Sequence, residues 1–245
     1  MDIRRGIFPA AAALCLIGSF LMPNAVAEVT DARRLDSLVI VEAQSINIDA
    51  DLKLSLPERI ALAASPYMET LALTTGQMLT VETAGAGAIR EIEKFFSGGP
   101  FEFTNEGCKV EYSAVLLMAD SEDPSANMIV WEFKLFDRNE NEVNVTIDDE
   151  TGMILKLIYR QGGEPVDREG AAGESAVGSI YDEMHNAALY LSEMMAEYYG
   201  LRVRLGDYEL GVNIAYYRAD MTGGGITAPM YGVIRANGFT MNERP

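Results

Sequence analysis

The side chains that most often carry enzymatic chemistry are scarce in this sequence. His185 is the only histidine, and Cys15 and Cys108 are the only cysteines. A Ser-His-Asp or Cys-His system requires a histidine as its base, so every such mechanism would depend on His185. A dyad of Cys108 with His185 is conceivable, but the sequence contains no Gly-x-Ser-x-Gly motif. One histidine and one cysteine also fall short of a typical zinc ligand set. We therefore expect no catalytic residue, no metal site and no cofactor, and we interpret Cys108 as a small apolar residue.

Oxygen ligands offer a second kind of chemistry. The spacing Asp137-x-Asn139-x-Asn141 is similar to the first half of an EF-hand loop. Position six of that loop is Glu142 instead of glycine, and position twelve is Asp148 instead of glutamate. The pattern therefore favours a hairpin turn, with a weak calcium contact as the alternative. Paired carboxylates could serve a glycosidase, but only their geometry would show this.

Two further patterns have an ordinary structural interpretation. Gly223-Gly224-Gly225 is followed by a strand-like pattern, whereas a phosphate-binding loop needs a helix and a Gly-Lys-Ser/Thr ending. Met184, Met194 and Met195 could line an adaptable groove. Their helical spacing favours packing in the core.

The N-terminus has the three parts of a secretory signal. Arg4 and Arg5 precede an apolar run over residues 7–22, and Ala25-Val26-Ala27 supplies a small-x-small cleavage site. We expect residues 1–27 to be a signal peptide, which places the protein outside the bacterial cytoplasm, secreted or in the cell envelope. An uncleaved anchor is the alternative. Cleavage would remove Cys15, so no internal disulfide would form.

The composition of the chain restricts the kinds of partner that it could bind. The 245 residues carry a formal net charge of −18, which repels nucleic acid and anionic lipid. No later segment is apolar enough to span a membrane. The length of the exported chain, Glu28–Pro245, suits one compact domain or two small ones. A hydrophobic content of 49% is ordinary for a globular protein.

The elements that would position these residues begin with helices. Ser55 and Glu58 are typical of a helix start, and a second helical piece is predicted over Tyr67–Thr74. The glycines at 85 and 87 predict a break before a short helix, Ala88–Phe96. Four strands follow, rich in β-branched and aromatic residues: Cys108–Met118, Met128–Phe136, Glu142–Ile147 and Ile154–Tyr159.

The second half has the same order of elements. Residues 161–173 are polar and glycine-rich, as in a linker. Apolar residues then recur every three or four positions from Val177 to Tyr198, which predicts a helix ending at Gly200. Strands are predicted over Leu201–Leu205, Tyr208–Tyr217 and Met230–Ile234, with a tight turn at Gly206-Asp207 and a final turn at Asn237-Gly238.

Runs of helices and strands, without strict alternation, predict an α+β fold with helices packed on antiparallel sheets. We divide the exported chain into an N-terminal helical segment plus an α+β unit (28–160), a linker (161–173) and a C-terminal part (174–245). The last part is either a second unit or the completion of the first.

The stretch Met128–Tyr159 resembles the PepSY domain. Trp131 lies in a first strand, a polar turn follows, and Ile147-Asp148-Asp149-Glu150-Thr151-Gly152 matches the family's Asp-x-x-Thr-Gly turn. The resemblance covers about a third of the exported chain, and its connection between the first two strands is longer than usual. It implies helix-then-strands units of PepSY or cystatin type, a role in peptidase inhibition or protein binding, and no catalytic residues.

We therefore expect a non-enzymatic exported protein that binds a protein or peptide, as an inhibitor of a peptidase or a regulator in the envelope. Alternatives are a secreted hydrolase using carboxylates or Cys108, and a structural or accessory envelope domain. The predicted binding residues lie on an exposed hairpin: Trp131, Asp137, Asn139 and Asn141. The predicted turn residues are Asp148, Thr151 and Gly152.

Overall fold

The computed structural model describes residues 54–97, 101, 103–162, 174–211, 214–235 and 237–242. All of them belong to one compact unit that begins at Ala50. The predicted signal peptide, 1–27, and most of the predicted linker, 161–173, lie outside the described residues.

Three helices and nine strands make up the described part of the chain. The helices are α1 (Leu56–Ala63), α2 (Val81–Phe96) and α3 (Glu174–Tyr199). The strands in chain order are β1 (Met68–Leu73), β2 (Lys109–Asp120), β3 (Asn127–Phe136), β4 (Glu142–Asp148), β5 (Ile154–Arg160), β6 (Arg202–Gly211), β7 (Ile214–Gly223), β8 (Ile226–Arg235) and β9 (Gly238–Met241).

The nine strands form a single sheet. Its order is β1-β2-β3-β4-β5-β9-β8-β7-β6, and every pairing is antiparallel. The centre of the sheet is the pairing of β5 with β9, which sets Tyr159 opposite Phe239. This pairing joins the meander β2–β5 to the meander β6–β9, so the two parts of the chain share one sheet.

Side chains alternate between the two faces of the sheet, as strand geometry requires. In β4, Val143, Val145 and Ile147 are buried, whereas Glu142 and Asn144 are half-buried and point to the opposite face. This alternation gives the sheet one apolar face and one polar face.

Helices α2 and α3 cover the apolar face. The ring of Phe96 contacts the rings of Tyr159 and Phe239 from the central strand pair, and the Tyr199 hydroxyl donates to the Ile154 carbonyl at 2.7 Å. The core-facing residues of α3 recur at helical spacing: Met184, Ala188, Leu191, Met194, Met195, Tyr198 and Tyr199.

Helix α1 contacts strands from both halves of the sheet: β2, β5, β7 and β8. It begins after Ser55, and the Glu58 carboxylate accepts hydrogen bonds from the Ser55 N–H and hydroxyl, both at 2.7 Å. Ile60, a residue of this helix, is fully buried. The helix start predicted from Ser55 and Glu58 is confirmed.

The α+β class predicted from the sequence, with helices packed on sheets in PepSY-like or cystatin-like units, is wrong. Strands dominate the described residues, and they form one continuous sheet. Residues of Tyr67–Thr74, expected to be helical, form β1 because Met68–Leu73 pair with β2. The turn expected at Gly206-Asp207 is also wrong, because β6 continues through it with an irregularity between Leu205 and Tyr208.

Helix α2 starts earlier than predicted. Thr80 and Thr83 cap its N-terminus, since the Thr80 N–H donates to Thr83 Oγ1 at 2.9 Å. The helix then runs through Gly85 and Gly87, where we expected a break. Gly85 is buried, and a Cβ there would lie 3.7 Å from the Phe133 ring, an ordinary contact distance, so this face of the helix packs against β3.

Candidate functional site

The turn between β4 and β5 organises one end of the sheet. The Asp148 carboxylate accepts from the Thr151 N–H at 2.9 Å and from its hydroxyl at 2.6 Å. The Gly152 N–H donates to the Asp148 carbonyl, and Gly152 has a φ of +71°, which glycine adopts without strain. These three residues therefore build the turn.

Asp148 also holds helix α1. Its Oδ1 accepts from Arg59 Nη1 at 2.8 Å, and the two side chains are only 0% and 7% exposed. A second guanidinium nitrogen contacts Glu150, and Arg59 Nε donates to the Leu54 carbonyl. A buried ion pair of this kind is costly to break, because removal of one partner leaves the other charged in the interior.

Asp149, the next residue, anchors the segment that leads into α2. Its Oδ2 accepts from the N–H groups of Gln77 and Met78 at 2.8 and 2.7 Å. Its Oδ1 accepts from Trp131 Nε1 at 2.7 Å and from the Leu79 N–H at 3.2 Å. The carboxylate therefore accepts hydrogen bonds from four donors in a site that is closed to solvent.

Of the four predicted binding residues, only Asn139 is exposed. Trp131, Asp137 and Asn141 are buried. Asp137 Oδ1 accepts from the N–H groups of Asn139 and Asn141, and its Oδ2 accepts from Asn141 Nδ2. Asn141 Oδ1 in turn accepts from the Gly162 N–H. These polar side chains hold the turn between β3 and β4, so Asn139 is the one predicted binding residue whose side chain is open to a partner.

An open cleft of about 520 Å³ lies between α1, the β2–β3 connection and β8. Its walls include the carboxylates of Glu58, Asp120 and Asp123. Hydrogen bonds from Ser55 lower the pKa of Glu58, and bonds from the Glu122 N–H and the Ser65 hydroxyl lower the pKa of Asp120. A general acid needs a raised pKa, so both groups are poorly matched to that role.

No family model, curated protein or solved structure matched this chain. The PepSY resemblance of Met128–Tyr159 therefore stays a prediction. Within the described residues, no cluster of His, Cys, Asp and Glu is arranged to hold a metal ion. No described helix has the length and apolar character needed to cross a membrane.

The candidates for nucleophilic chemistry lie on different elements. Cys108 immediately precedes β2, and His185 is half-buried on α3. Burial, and secondarily the charge of Asp137, raise the pKa of the Cys108 thiol. A thiol must be deprotonated to act as a nucleophile, so this environment disfavours attack at neutral pH.

Exposed apolar side chains mark one edge of the sheet. Six of the eight large apolar residues that are exposed in the described structure lie in β1, in β2, in the segments on either side of β1 or at the first position of α2. We call this set the β1–β2 edge: Tyr67, Leu71, Met78, Val81, Val110 and Tyr112. Only Leu189 and Ile226 lie elsewhere. Because single exposed apolar residues are normal and their concentration is not, this edge is the candidate binding site.

Sequence reasoning missed this edge. The sequence predicts a helix over Tyr67–Thr74, whereas Leu71 lies on the outer strand β1 and Tyr67 immediately precedes it. The apolar residues of the segment Val110–Tyr112 were visible as strand formers, but nothing in the sequence shows that one side of this strand lacks a neighbour. The roles of Arg59 and Asp149 were missed as well, because their partners are distant in the chain.

Proposed function

We propose that this protein is a non-enzymatic binding protein that acts outside the bacterial cytoplasm and recognises a protein or peptide. The observation that carries the proposal is the concentration of exposed apolar side chains at the β1–β2 edge. A free sheet edge is the feature that proteins use for strand addition, and exposed apolar side chains on the edge strands give an added strand apolar contacts.

The edge strand itself favours this function. Four of the six residues of β1 are exposed and the two at its ends are half-buried, and β1 pairs only with β2 among the described strands. A long exposed edge invites unwanted association, so proteins usually protect it. A partner that adds a strand to β1 would cover this edge together with Leu71.

The export signal and the PepSY resemblance suggest which partner to look for. Both favour a protein of the envelope or the secreted fraction, with an envelope peptidase as one specific case. The net charge of −18 would attract a cationic surface over long distances. If the partner is an envelope peptidase, this protein would inhibit it by occupying its binding surface and would catalyse no reaction itself.

The test is affinity capture from the extracytoplasmic fraction of the source bacterium, with matched variants. The edge variant carries Leu71→Asn and Tyr112→Asn, and the control variant carries Leu189→Asn and Ile226→Asn. All four side chains are exposed and apolar, so the two variants lose similar surface. We expect one protein to bind saturably to the wild type and the control and to be lost from the edge variant. Equal capture by both variants, or no saturable partner, would contradict the proposal.

A further inference from the structure

A small pocket lies on the polar face of the sheet, and all the residues that line it belong to strands β2–β5. Its volume is about 160 Å³. The central row of the pocket is Glu132, Thr146 and Lys156, one residue each from β3, β4 and β5. The pocket is therefore built by paired strands alone and is separate from the cleft beside α1.

Thr146 lies at the bottom of this pocket, with only 4% of its surface exposed. Its neighbours in β4, Val145 and Ile147, belong to the apolar face, so the Thr146 side chain points to the polar face and into the pocket. Within the described part of the chain, its hydroxyl has no hydrogen-bond partner. Because buried polar groups are normally hydrogen-bonded, the partner of this hydroxyl is a molecule inside the pocket.

Two opposite charges flank Thr146. Glu132 lies opposite Thr146 in β3, and Lys156 lies opposite it in β5. Both side chains are half-buried, and neither has a hydrogen bond or an ion pair with any described residue. Cross-strand neighbours have Cβ atoms about 5 Å apart, so Glu132 and Lys156 are about 10 Å apart at their Cβ atoms. This separation leaves room between them for a small molecule that contacts both.

The other charged side chain of the pocket already has a partner. Lys134 Nζ lies 2.6 Å from the Glu111 carboxylate, so the pair is neutral as a unit. The polar side chain of Asn144 donates through Nδ2 to Glu142 at 2.8 Å. Glu132 and Lys156 are therefore the charges that remain for a ligand, and they call for one positive and one negative group.

Apolar side chains and volume set the size of the ligand. Tyr112 is opposite Lys134 in the pairing of β2 with β3, and Ile158 is opposite Asn144 in the pairing of β4 with β5. These two side chains therefore form the outer walls. A cavity of about 150 Å³ holds benzene, so this pocket suits a molecule about as large as leucine.

We propose that this pocket binds a free α-amino acid with an apolar side chain. The ammonium group contacts Glu132, and the carboxylate contacts Lys156 and accepts from the Thr146 hydroxyl. The side chain of the ligand contacts Tyr112 and Ile158. An amino acid is neutral overall, so the net charge of −18 does not repel it as it would repel a small anion.

This inference goes beyond the proposed function and does not rest on it. It concerns a small ligand on the polar face of the sheet, whereas the protein partner would bind at the β1–β2 edge. Tyr112 is the one residue that the two sites share. Variants that leave Tyr112 unchanged therefore test the pocket separately from the edge.

The experiment titrates L-leucine into the ¹⁵N-labelled protein with its natural N-terminal processing and follows the amide chemical shifts. We expect the amides of Glu132, Thr146 and Lys156 to shift and saturate, with a Kd of about 1 mM or below. Leucinamide lacks the carboxylate and resembles the N-terminus of a peptide, whereas N-acetyl-leucine lacks the ammonium group and resembles a peptide C-terminus. Each should bind at least about tenfold more weakly, because one charged contact is lost.

Variants test the three polar groups. Glu132→Gln and Lys156→Met should each weaken leucine binding about tenfold to a hundredfold, since each removes a hydrogen bond to a charged group. Thr146→Val keeps the shape of the side chain and should weaken binding about fivefold. The controls are Glu122→Gln and Lys109→Met, which change exposed charges outside the pocket and should leave the Kd unchanged.

Three results would overturn the proposal. The first is amide shifts in the pocket that stay unchanged at about 50 mM leucine, far above the expected Kd. The second is equal binding of an analogue: leucinamide would assign the pocket to a cation or a peptide N-terminus, and N-acetyl-leucine to an anion or a peptide C-terminus. The third is leucine affinity that neither Glu132→Gln nor Lys156→Met reduces, which would place the amino acid elsewhere on the protein.

Discussion

The buried carboxylate of Asp149 gives the sharpest test of how the sheet and helix α2 are held together. Asp149→Asn preserves the shape of the side chain but leaves a single acceptor oxygen. Whichever oxygen position it keeps, two of the four donors then face an amide NH₂ group: either Gln77 and Met78, or Leu79 and the Trp131 indole.

The expected loss follows from the two donors left without an acceptor. An unpaired buried donor costs about 1–3 kcal/mol. We therefore expect Asp149→Asn to lower the free energy of unfolding by about 2–6 kcal/mol, before the loss of the charged character of the remaining bonds is counted.

Trp131 is the only tryptophan in the chain, so its fluorescence reports directly on this site during urea unfolding. The matched control is Asp123→Asn, because Asp123 is exposed, and its change should stay within about 0.5 kcal/mol. A free energy of unfolding for Asp149→Asn that stays within that margin of the wild-type value would refute the reasoning. It would show that the four donors find other partners.

Three further predictions concern glycine, the buried ion pair and the thiol. Gly76→Ala should destabilise the fold because a Cβ there would overlap Asp149 Oδ1. Gly87 lies inside α2 with open space around it, so Gly87→Ala should stabilise the fold by about 0.5–1 kcal/mol. Thermal unfolding temperatures that shift in the same direction for both variants would contradict this. Arg59→Met should cost about 3–5 kcal/mol in urea unfolding, because Asp148 keeps a buried charge, and a loss below about 1 kcal/mol would be inconsistent with a buried pair. Peptide mass spectrometry can follow the alkylation rate of Cys108. This rate should be lower at pH 8 than that of a free cysteine and should increase only at higher pH, because the pKa of the Cys108 thiol is raised. Equal rates at pH 8 would refute the assigned environment.

Part of the fold was predictable because local pattern and burial agree. In α3 the apolar residues from Met184 to Tyr198 recur at helical spacing, and that face is buried. The alternation in β4 likewise matches its buried and half-buried positions. Such elements are specified by their own residues.

Other elements depend on contacts that the local sequence does not contain. β1 is a strand because β2 lies beside it. Gly85 lies inside a helix because Thr80 caps that helix five residues earlier and the face that carries Gly85 is buried against the sheet. The single sheet depends on the pairing of β5 with β9, which joins Tyr159 to Phe239. Tertiary pairing overrides local preference in these cases.

The candidate site also has one part that the local sequence specifies and another that depends on residues distant in the chain. The turn formed by Asp148, Thr151 and Gly152 is local, and its motif was visible in the sequence. The partner of Asp148 on α1 is 89 positions away, and Asp149 binds the Gln77 N–H from 72 positions away. The incomplete edge of the sheet was invisible for a further reason: it is a difference in length between two paired strands, which exists only after the strands have paired.

The most direct test of the central claim is photo-crosslinking at the β1–β2 edge. Tyr112→benzoylphenylalanine and, as the control, Leu189→benzoylphenylalanine are each irradiated with the extracytoplasmic fraction of the source bacterium. Both positions are exposed and apolar in the wild type. If the edge binds a partner, position 112 should give one dominant crosslinked protein that position 189 does not. Identical products at both positions, or a dominant product only at 189, would contradict the assignment of the binding site to this edge.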